Sequence, residues 1–386
     1  MHLRRFSALT VAALVALSAC GGDDEPEASS TPDTEAPGTS EESGSIEVVA
    51  DQPFPEARCE ANRAAGTITY LTGFDFAAAA SIVDVIVADD LGYYDDLCLD
   101  VEIRPSFSTA NYPLIASGEA QFASGGSFSE VVAFAAANDA EFVVVAVEGR
   151  TAIDTLITKA GQVGALEELA GTTIGVKGKL PPSIAAMLLQ AGLAEGEDFD
   201  TVLLDGFDPT LHIMIEPIVG FPGWKSNEPG ALSRAGIGFE MFDPLDSGIP
   251  GSFGAIYTDL AFVADHPTAA EDFVRATMMG LADAVADPEA AANTAVDLIN
   301  ASGNPNFLSP EGEVFRWQTD SQLILATTPE GTGLGVPDDT MLQAELDAYA
   351  AVGLFGDAPT PDAASRLGSD IIASIYGVDG IVIWPS

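Results

Sequence analysis

Positive charge is what this chain has least of: 14 Lys and Arg stand against 59 Asp and Glu, for a formal net charge of -45. A surface so acidic repels phosphate backbones and anionic lipid head groups, so nucleic acid is excluded as a partner and so is direct electrostatic adhesion to a membrane. Histidine is almost as scarce. His2, His212 and His266 show no ligand spacing, and no metal site is expected. The three cysteines, Cys20, Cys59 and Cys98, are too few and too dispersed for a thiolate cluster. The apolar run 6–17 is about 12 residues long, short of the roughly 20 that a bilayer-spanning helix requires. Neither GxSxG nor HExxH occurs, and no nucleophile is paired with a base, so no enzyme is expected. Heptads and tandem repeats are absent too.

What is present begins with an export signal. Arg4 and Arg5 precede the apolar run, and small residues follow it, the layout of a secretory signal over 1–19. Leu17-Ser18-Ala19-Cys20 resembles the lipobox of bacterial lipoproteins, which implies lipidation of Cys20 and anchoring to the outer face of the cytoplasmic membrane. Removing Arg4 and Arg5 with the signal takes the net charge from -45 to about -47. From Gly21 to Ser45 there are eight Asp or Glu and no Lys or Arg. Such a segment cannot bury enough surface to offset its ordering entropy, so 20–55 reads as a charged leash. The remaining stretch, about 330 residues, is long enough for two domains. On an exported chain, Cys59 and Cys98 read as a disulfide closing a loop of about 40 residues; the alternative is two buried free thiols.

Strand and helix patterns alternate along the body. Residues 67–71, 99–103, 121–123 and 142–147 read as strands. Residues 77–91, 111–117 and 128–137 read as helices, with Ile82, Val83, Ile86, Val87 and Leu91 inward and Gly92 as a stop. The same rhythm returns at 172–176, 184–193 and 201–204, and 253–257 is a further strand. Residues 268–301 are largely helical. Fully apolar strands separated by helices predict a parallel sheet covered on both faces, and hence an α/β fold.

Several blocks then carry a resemblance. LGYYDDLCLDVEI (91–103), LIASGEAQFA (114–123), LAGTTIGV (169–176), NEP (227–229), and His266-Pro267 followed by FVRA (273–276) resemble, in collinear order, blocks of solute-binding proteins of the SsuA/THI5-like (NMT1) family. The resemblance implies a type II periplasmic-binding-protein fold, two α/β lobes joined by a hinge. Lobe I would comprise 56–155 and be completed by 253–386, with its C-terminal helices; lobe II would be 156–252. It also implies a monomeric, cofactor-free receptor that hands a small solute to an ABC permease of the inner membrane, here held extracytoplasmically by its lipid.

Ligands of open α/β sheets sit outside the carboxyl ends of the strands. That rule selects Phe74, Asp75 and Phe76 after the first strand, Phe107 after the second, and Ser127 and Phe128 after the third. From lobe II it selects Lys177 and Lys179, and the stretch 220–228, read as a loop, with Trp224, Asn227 and Glu228. Aromatic faces suit a flat heterocycle, and carboxylates suit its ring amino groups. A thiamine pyrimidine precursor is the solute the resemblance implies. The first loop, TGFDFA (72–77), departs from that branch, having neither the tryptophan nor the histidine usual there. Riboflavin therefore stays open as a solute. So does an anion such as an alkanesulfonate or nitrate, for which Lys177 and Lys179 are the available cations. The cysteine-rich signature of the pyrimidine-synthase relatives is missing as well.

Overall fold

Residues 45–302 and 309–386 are described by a computed structural model of the chain. The segment expected as an export signal, Cys20 and the part of the expected leash up to residue 44 lie outside the described residues. Among them, the strands form two five-stranded sheets. The first contains β1 (Thr67–Leu71), β2 (Asp100–Arg104), β3 (Phe122–Ser124), β4 (Phe142–Gly149) and β10 (Phe253–Asp259), in the order β2-β1-β3-β10-β4. The second contains β5 (Asp154–Lys159), β6 (Thr173–Val176), β7 (Asp200–Leu203), β8 (Gly220–Trp224) and β9 (Phe239–Phe242), in the order β7-β6-β8-β5-β9. The chain crosses from the first sheet to the second after Gly149 and returns before Phe253. Two α/β lobes joined by two short crossings result.

The expected purely parallel sheet is corrected to a mixed one in each lobe. In the first, β1 pairs parallel with β2 and β3, whereas β10 runs antiparallel to both β3 and β4. In the second, β5 runs antiparallel to β8 and β9. The reason lies in the two crossings: each brings one strand back into a sheet whose other strands were laid down by helical crossovers. Sequence periodicity reports how a strand is buried and not its direction.

The helix predicted over 77–91 starts late, at Val83, and ends at Asp90. Residues 77–82 form a turn because carboxylates from distant segments take their N–H groups. Ala78 N donates to Glu313 Oε2 at 2.6 Å, Ala80 N to Asp320 Oδ2 at 3.1 Å and Ser81 N to Glu148 Oε1 at 2.7 Å. Tyr70 hydroxyl donates to the Ser81 carbonyl from below. Gly92, at φ +78°, ends the segment as expected. Leu91, expected inward, is exposed; the helix otherwise buries nearly its whole length, Val83 to Ala88. Gly280 explains how this is possible, since a Cβ there would lie 2.3 Å from the Asp84 carbonyl oxygen, and its absence lets the Pro267–Ala286 helix pack directly on this one.

Aromatic rings fill the core beneath β1 and β3. Phe273 stacks on Phe122 with centroids 4.1 Å apart and on Tyr94 at 5.3 Å. Trp317 is fully buried and donates its indole N–H to the Ala284 carbonyl at 2.7 Å. The N-terminal helix Glu56–Ala64 is fixed to this core twice. Arg58 grips buried Asp272 through Nε at 2.6 Å and Nη2 at 2.9 Å, and Cys59 forms a disulfide with Cys98. Cys98 takes a left-handed backbone, φ +58°, just before β2, so the bridge sits at the turn that feeds that strand.

Candidate functional site

Where the strand ends of the two lobes face each other lies a cavity of about 350 Å³. Lobe I contributes the turn 79–82, Gly73 and Phe74 after β1, Ser124 at the end of β3, and the N-terminus of the Phe128–Asn138 helix. Lobe II contributes Lys177, Lys179 and the N-terminus of the Pro182–Gln190 helix after β6, with Trp224 at the end of β8. The crossings supply Ala152, Ile153 and Ser252. Asp320 and Tyr349 reach in from the C-terminal helices Pro310–Thr327 and Asp339–Ala350.

Aromatic residues meet at the cavity mouth. Phe74 of lobe I touches Trp224 of lobe II edge-on, with centroids 6.0 Å apart at 71°, and leans on Phe107 at 5.7 Å and 89°. The stretch 220–228, expected as a loop, is largely strand: Gly220–Trp224 is central in its sheet, and the helix Glu228–Arg234 begins after three further residues. A Cβ at position 220 would meet the Ile157 carbonyl at 2.2 Å, so the glycine that looked like a turn residue is a packing requirement of neighbouring strands.

Of the residues selected from sequence, Phe74, Ser127, Lys177, Lys179 and Trp224 line the cavity. The others do not. Glu228 is buried one layer behind, accepting from Lys177 Nζ at 2.9 Å and from Trp224 N at 2.8 Å, and so fixes both cavity residues. Asn227 accepts from Arg316 Nη2 at 3.2 Å. Phe107, 53% exposed, stands outside the lining against Phe74. Asp75 takes φ +48° and accepts from Phe76 N through Oδ1 at 2.9 Å. Phe76 and Phe128 are buried in the core of lobe I. Their alternation with exposed neighbours in a loop carried no sign of which way each ring would turn.

Three carboxylates of the lining, Glu130, Asp154 and Asp320, were not singled out from sequence. Glu130 had a signal: Ser127-Phe128-Ser129-Glu130 has the S-x-x-E form that places an acid in the first turn of a helix. Asp154 and Asp320 had none, since each comes to the cavity only through the folding of a crossing or a distant helix. Their environments are similar. Desolvation, then the nearby Asp154, pushes the Glu130 carboxyl up to about 7, although solvent still reaches it through the cleft. Asp154 is raised to about 6 by desolvation, against a hydrogen bond from Ser183 Oγ at 2.9 Å. Asp320 is raised to about 6 for the same reason. Behind them Glu345, fully buried, is lifted to about 7 by desolvation.

Helix N-termini beside a cleft ordinarily offer free N–H groups to an anion. At the Phe128–Asn138 helix they are occupied from within, whereas the Pro182–Gln190 helix has no side-chain cap. Phe128 N donates to Ser252 Oγ at 3.0 Å, Ser129 N to Glu345 Oε1 at 3.3 Å and Glu130 N to Ser127 Oγ at 3.3 Å. The turn 78–81 is likewise filled by Glu313, Asp320 and Glu148. Among the described residues no group of His, Cys, Asp and Glu could hold a metal ion, and no helix is long and apolar enough to cross a membrane.

The family described as NMT1/THI5 like matches residues 79–291. The riboflavin-binding protein RibY of Chloroflexus aurantiacus is 30% identical over 139 residues. That match covers 36% of this chain and 39% of RibY, so the chain spans about two fifths of the length of this curated relative. Among solved structures, the putative periplasmic sulfonate-binding protein SsuA from Methylobacillus flagellatus is 16% identical over 80% of this chain and 93% of that one, with a TM-score of 0.57. The periplasmic nitrate-binding protein NrtA from Synechocystis is 16% identical over 79% and 86%, with a TM-score of 0.56. At such identity the likeness is one of fold, and that fold is the type II periplasmic-binding-protein fold expected from the sequence.

Proposed function

The chain belongs to the NMT1/THI5-like family of substrate-binding proteins of ABC importers, and from that premise we propose that it captures a small, flat heteroaromatic solute bearing N–H groups and presents it to a permease. The observation that carries this reading is the pairing of Phe74 and Trp224, one from each lobe, over a cavity edged by carboxylates. A ring stacked on the free face of either residue gains about 0.5 to 1.5 kcal/mol beyond area burial. Glu130, Asp154 and Asp320 accept from its amino or imide hydrogens. The cavity, about 350 Å³, falls within the range usual for small-molecule sites, roughly 300 to 1,000 Å³.

A thiamine pyrimidine precursor satisfies these conditions, as does the isoalloxazine ring of riboflavin, which the partial likeness to RibY favours. An alkanesulfonate or nitrate is disfavoured. The helix N-terminus at Phe128 is filled by the chain's own acceptors, and Lys177 is already held by Glu228. The lipid anchor belongs to the same reading: with Cys20 acylated, the monomeric receptor is tethered outside the cytoplasmic membrane by its acidic leash.

Binding is tested by titrating the purified protein with riboflavin, aminopyrimidines, alkanesulfonates and nitrate in a calorimeter; saturable binding of an anion alone sinks the heteroaromatic reading. Anchoring is tested by fractionating cells that express Cys20→Ser. Release of the variant from the membrane is expected, and its retention removes the lipid from the account.

A further inference from the structure

The charge of the cavity is not balanced by the protein. Of the cations nearby, Lys177 is paired with Glu228 at 2.9 Å, Lys225 with Asp243 at 2.7 Å and Arg316 with Glu313 at 2.7 Å. Lys179 alone faces Glu130 from the lining without one of these fixed pairings, and it is exposed. Against it stand Glu130, Asp154 and Asp320, each from a different element: the Phe128–Asn138 helix, the start of β5 and the Pro310–Thr327 helix.

Asp320 supplies an independent sign that something is to be bound. It is 3% exposed and lines the cavity; Oδ2 accepts from Ala80 N, whereas Oδ1 has no hydrogen-bond partner. The Ser226 hydroxyl lies near enough to favour its charged form but does not complete a bond to Oδ1. A buried carboxylate with one oxygen lacking a donor is costly to keep charged, and a cation in the adjoining cavity offsets that cost through its field. The aromatic wall agrees in sign, because the faces of Phe74 and Trp224 attract positive charge.

We propose, building on the reading of the site as a heteroaromatic-solute pocket, that the cleft selects a cationic heteroaromatic, one whose ring carries a fixed or N-bound positive charge, with Asp320, Asp154 and Glu130 as its counter-charges. Discrimination follows from local groups and not from the overall acidity of the surface. A neutral ring of the same shape keeps the stacking but brings no charge to set against the three carboxylates. An anion meets three carboxylates.

The test compares matched probes on the full chain by calorimetry: thiamine and 1-methylnicotinamide, the ring-methylated pyridinium, as fixed cations, riboflavin and nicotinamide as neutral rings, ethanesulfonate and nitrate as anions. 1-Methylnicotinamide is expected to bind at least about tenfold tighter than nicotinamide. Asp320→Asn is expected to bring the ratio of the two affinities close to one, whatever it does to either affinity alone. Glu130→Gln, at a position reached by solvent, is the second variant should Asp320→Asn not fold; it is expected to reduce the same ratio. If a neutral ring binds as tightly as the cations, or if the ratio survives both substitutions, the cation assignment is overturned while the heteroaromatic reading stands. If no heteroaromatic of either charge binds, both fall together.

Discussion

Arg316 Nη2 donates to Asn227 Oδ1 at 3.2 Å, joining the Pro310–Thr327 helix of lobe I to the residue that opens the Glu228–Arg234 helix of lobe II. The same guanidinium is held by Glu313 Oε1 at 2.7 Å and lies over the Phe74 ring, 5.9 Å from its centroid. One buried cation thereby couples the aromatic wall of the pocket to contact between the lobes.

Asn227→Ala removes the bond across the cleft and leaves the Arg316–Glu313 pair intact. A hydrogen bond to a charged group contributes about 1.5 to 3 kcal/mol, so solute affinity is expected to fall about tenfold or more. The melting midpoint of the solute-free protein should hardly move. Equal losses in affinity and in solute-free stability would show that Asn227 acts in folding and not in closure.

Stability is expected to rise on mild acidification. Glu130 and Glu345 are raised from 4.5 to about 7, and Asp154 and Asp320 from 3.8 to about 6, chiefly by desolvation. The folded state therefore binds more protons than the unfolded one between about pH 4 and 7. The corresponding stability is complete below the unfolded values and is lost as pH rises through the folded ones. Solute-free protein should melt higher at pH 5.5 than at pH 8, and a midpoint that is flat or falls on acidification would refute this.

Asp84 and Glu148 sharpen the same point. Burial raises both carboxyl groups, and they hydrogen-bond to one another, so one of them carries the proton. Without that proton Asp84 would have no donor to its carboxylate oxygens. Glu148→Gln keeps an acceptor for Ser81 N and supplies a permanent donor to Asp84. The variant is expected to be more stable than the parent at pH 8 and to show a weaker dependence on pH, both read by thermal melting. A loss of stability at pH 8 would mean that the pair does not share its proton as described.

The bridge between Cys59 and Cys98, separated by 39 positions, closes a loop whose constraint on the unfolded chain is worth about 4 kcal/mol. Reduction, or Cys59→Ser with Cys98→Ser, should lower the melting midpoint by several degrees and first loosen the Glu56–Ala64 helix. An unchanged midpoint under reductant would remove the bridge from the stability of lobe I.

How much of this was legible in sequence depended on whether the signal was local. Strands β1, β2 and β4 announce themselves as short apolar or alternating runs, and Gly92 marks a helix end at the position seen. The start of the Val83–Asp90 helix could not be read locally, because Glu148, Glu313 and Asp320 decide it from far along the chain. Gly220–Trp224 reads as a loop because two glycines and a proline weaken any strand pattern, yet those small residues are what close packing against β5 and Glu228 demands. Phe74 and Trp224 were found by the rule that ligands gather at strand ends. Asp154 and Asp320 escaped it because a crossing and a C-terminal helix, not a loop after an early strand, bring them to the cavity.

The most direct test of the account is a thermal melt of the wild-type protein and of Trp224→Ala, each with riboflavin, an aminopyrimidine, thiamine, ethanesulfonate and nitrate. At a hundred times its dissociation constant a bound solute stabilises the native state by about 2.7 kcal/mol, enough to shift the midpoint visibly. The account predicts a shift with a heteroaromatic solute that Trp224→Ala abolishes. A shift produced only by ethanesulfonate or nitrate, and unaffected by Trp224→Ala, would contradict it.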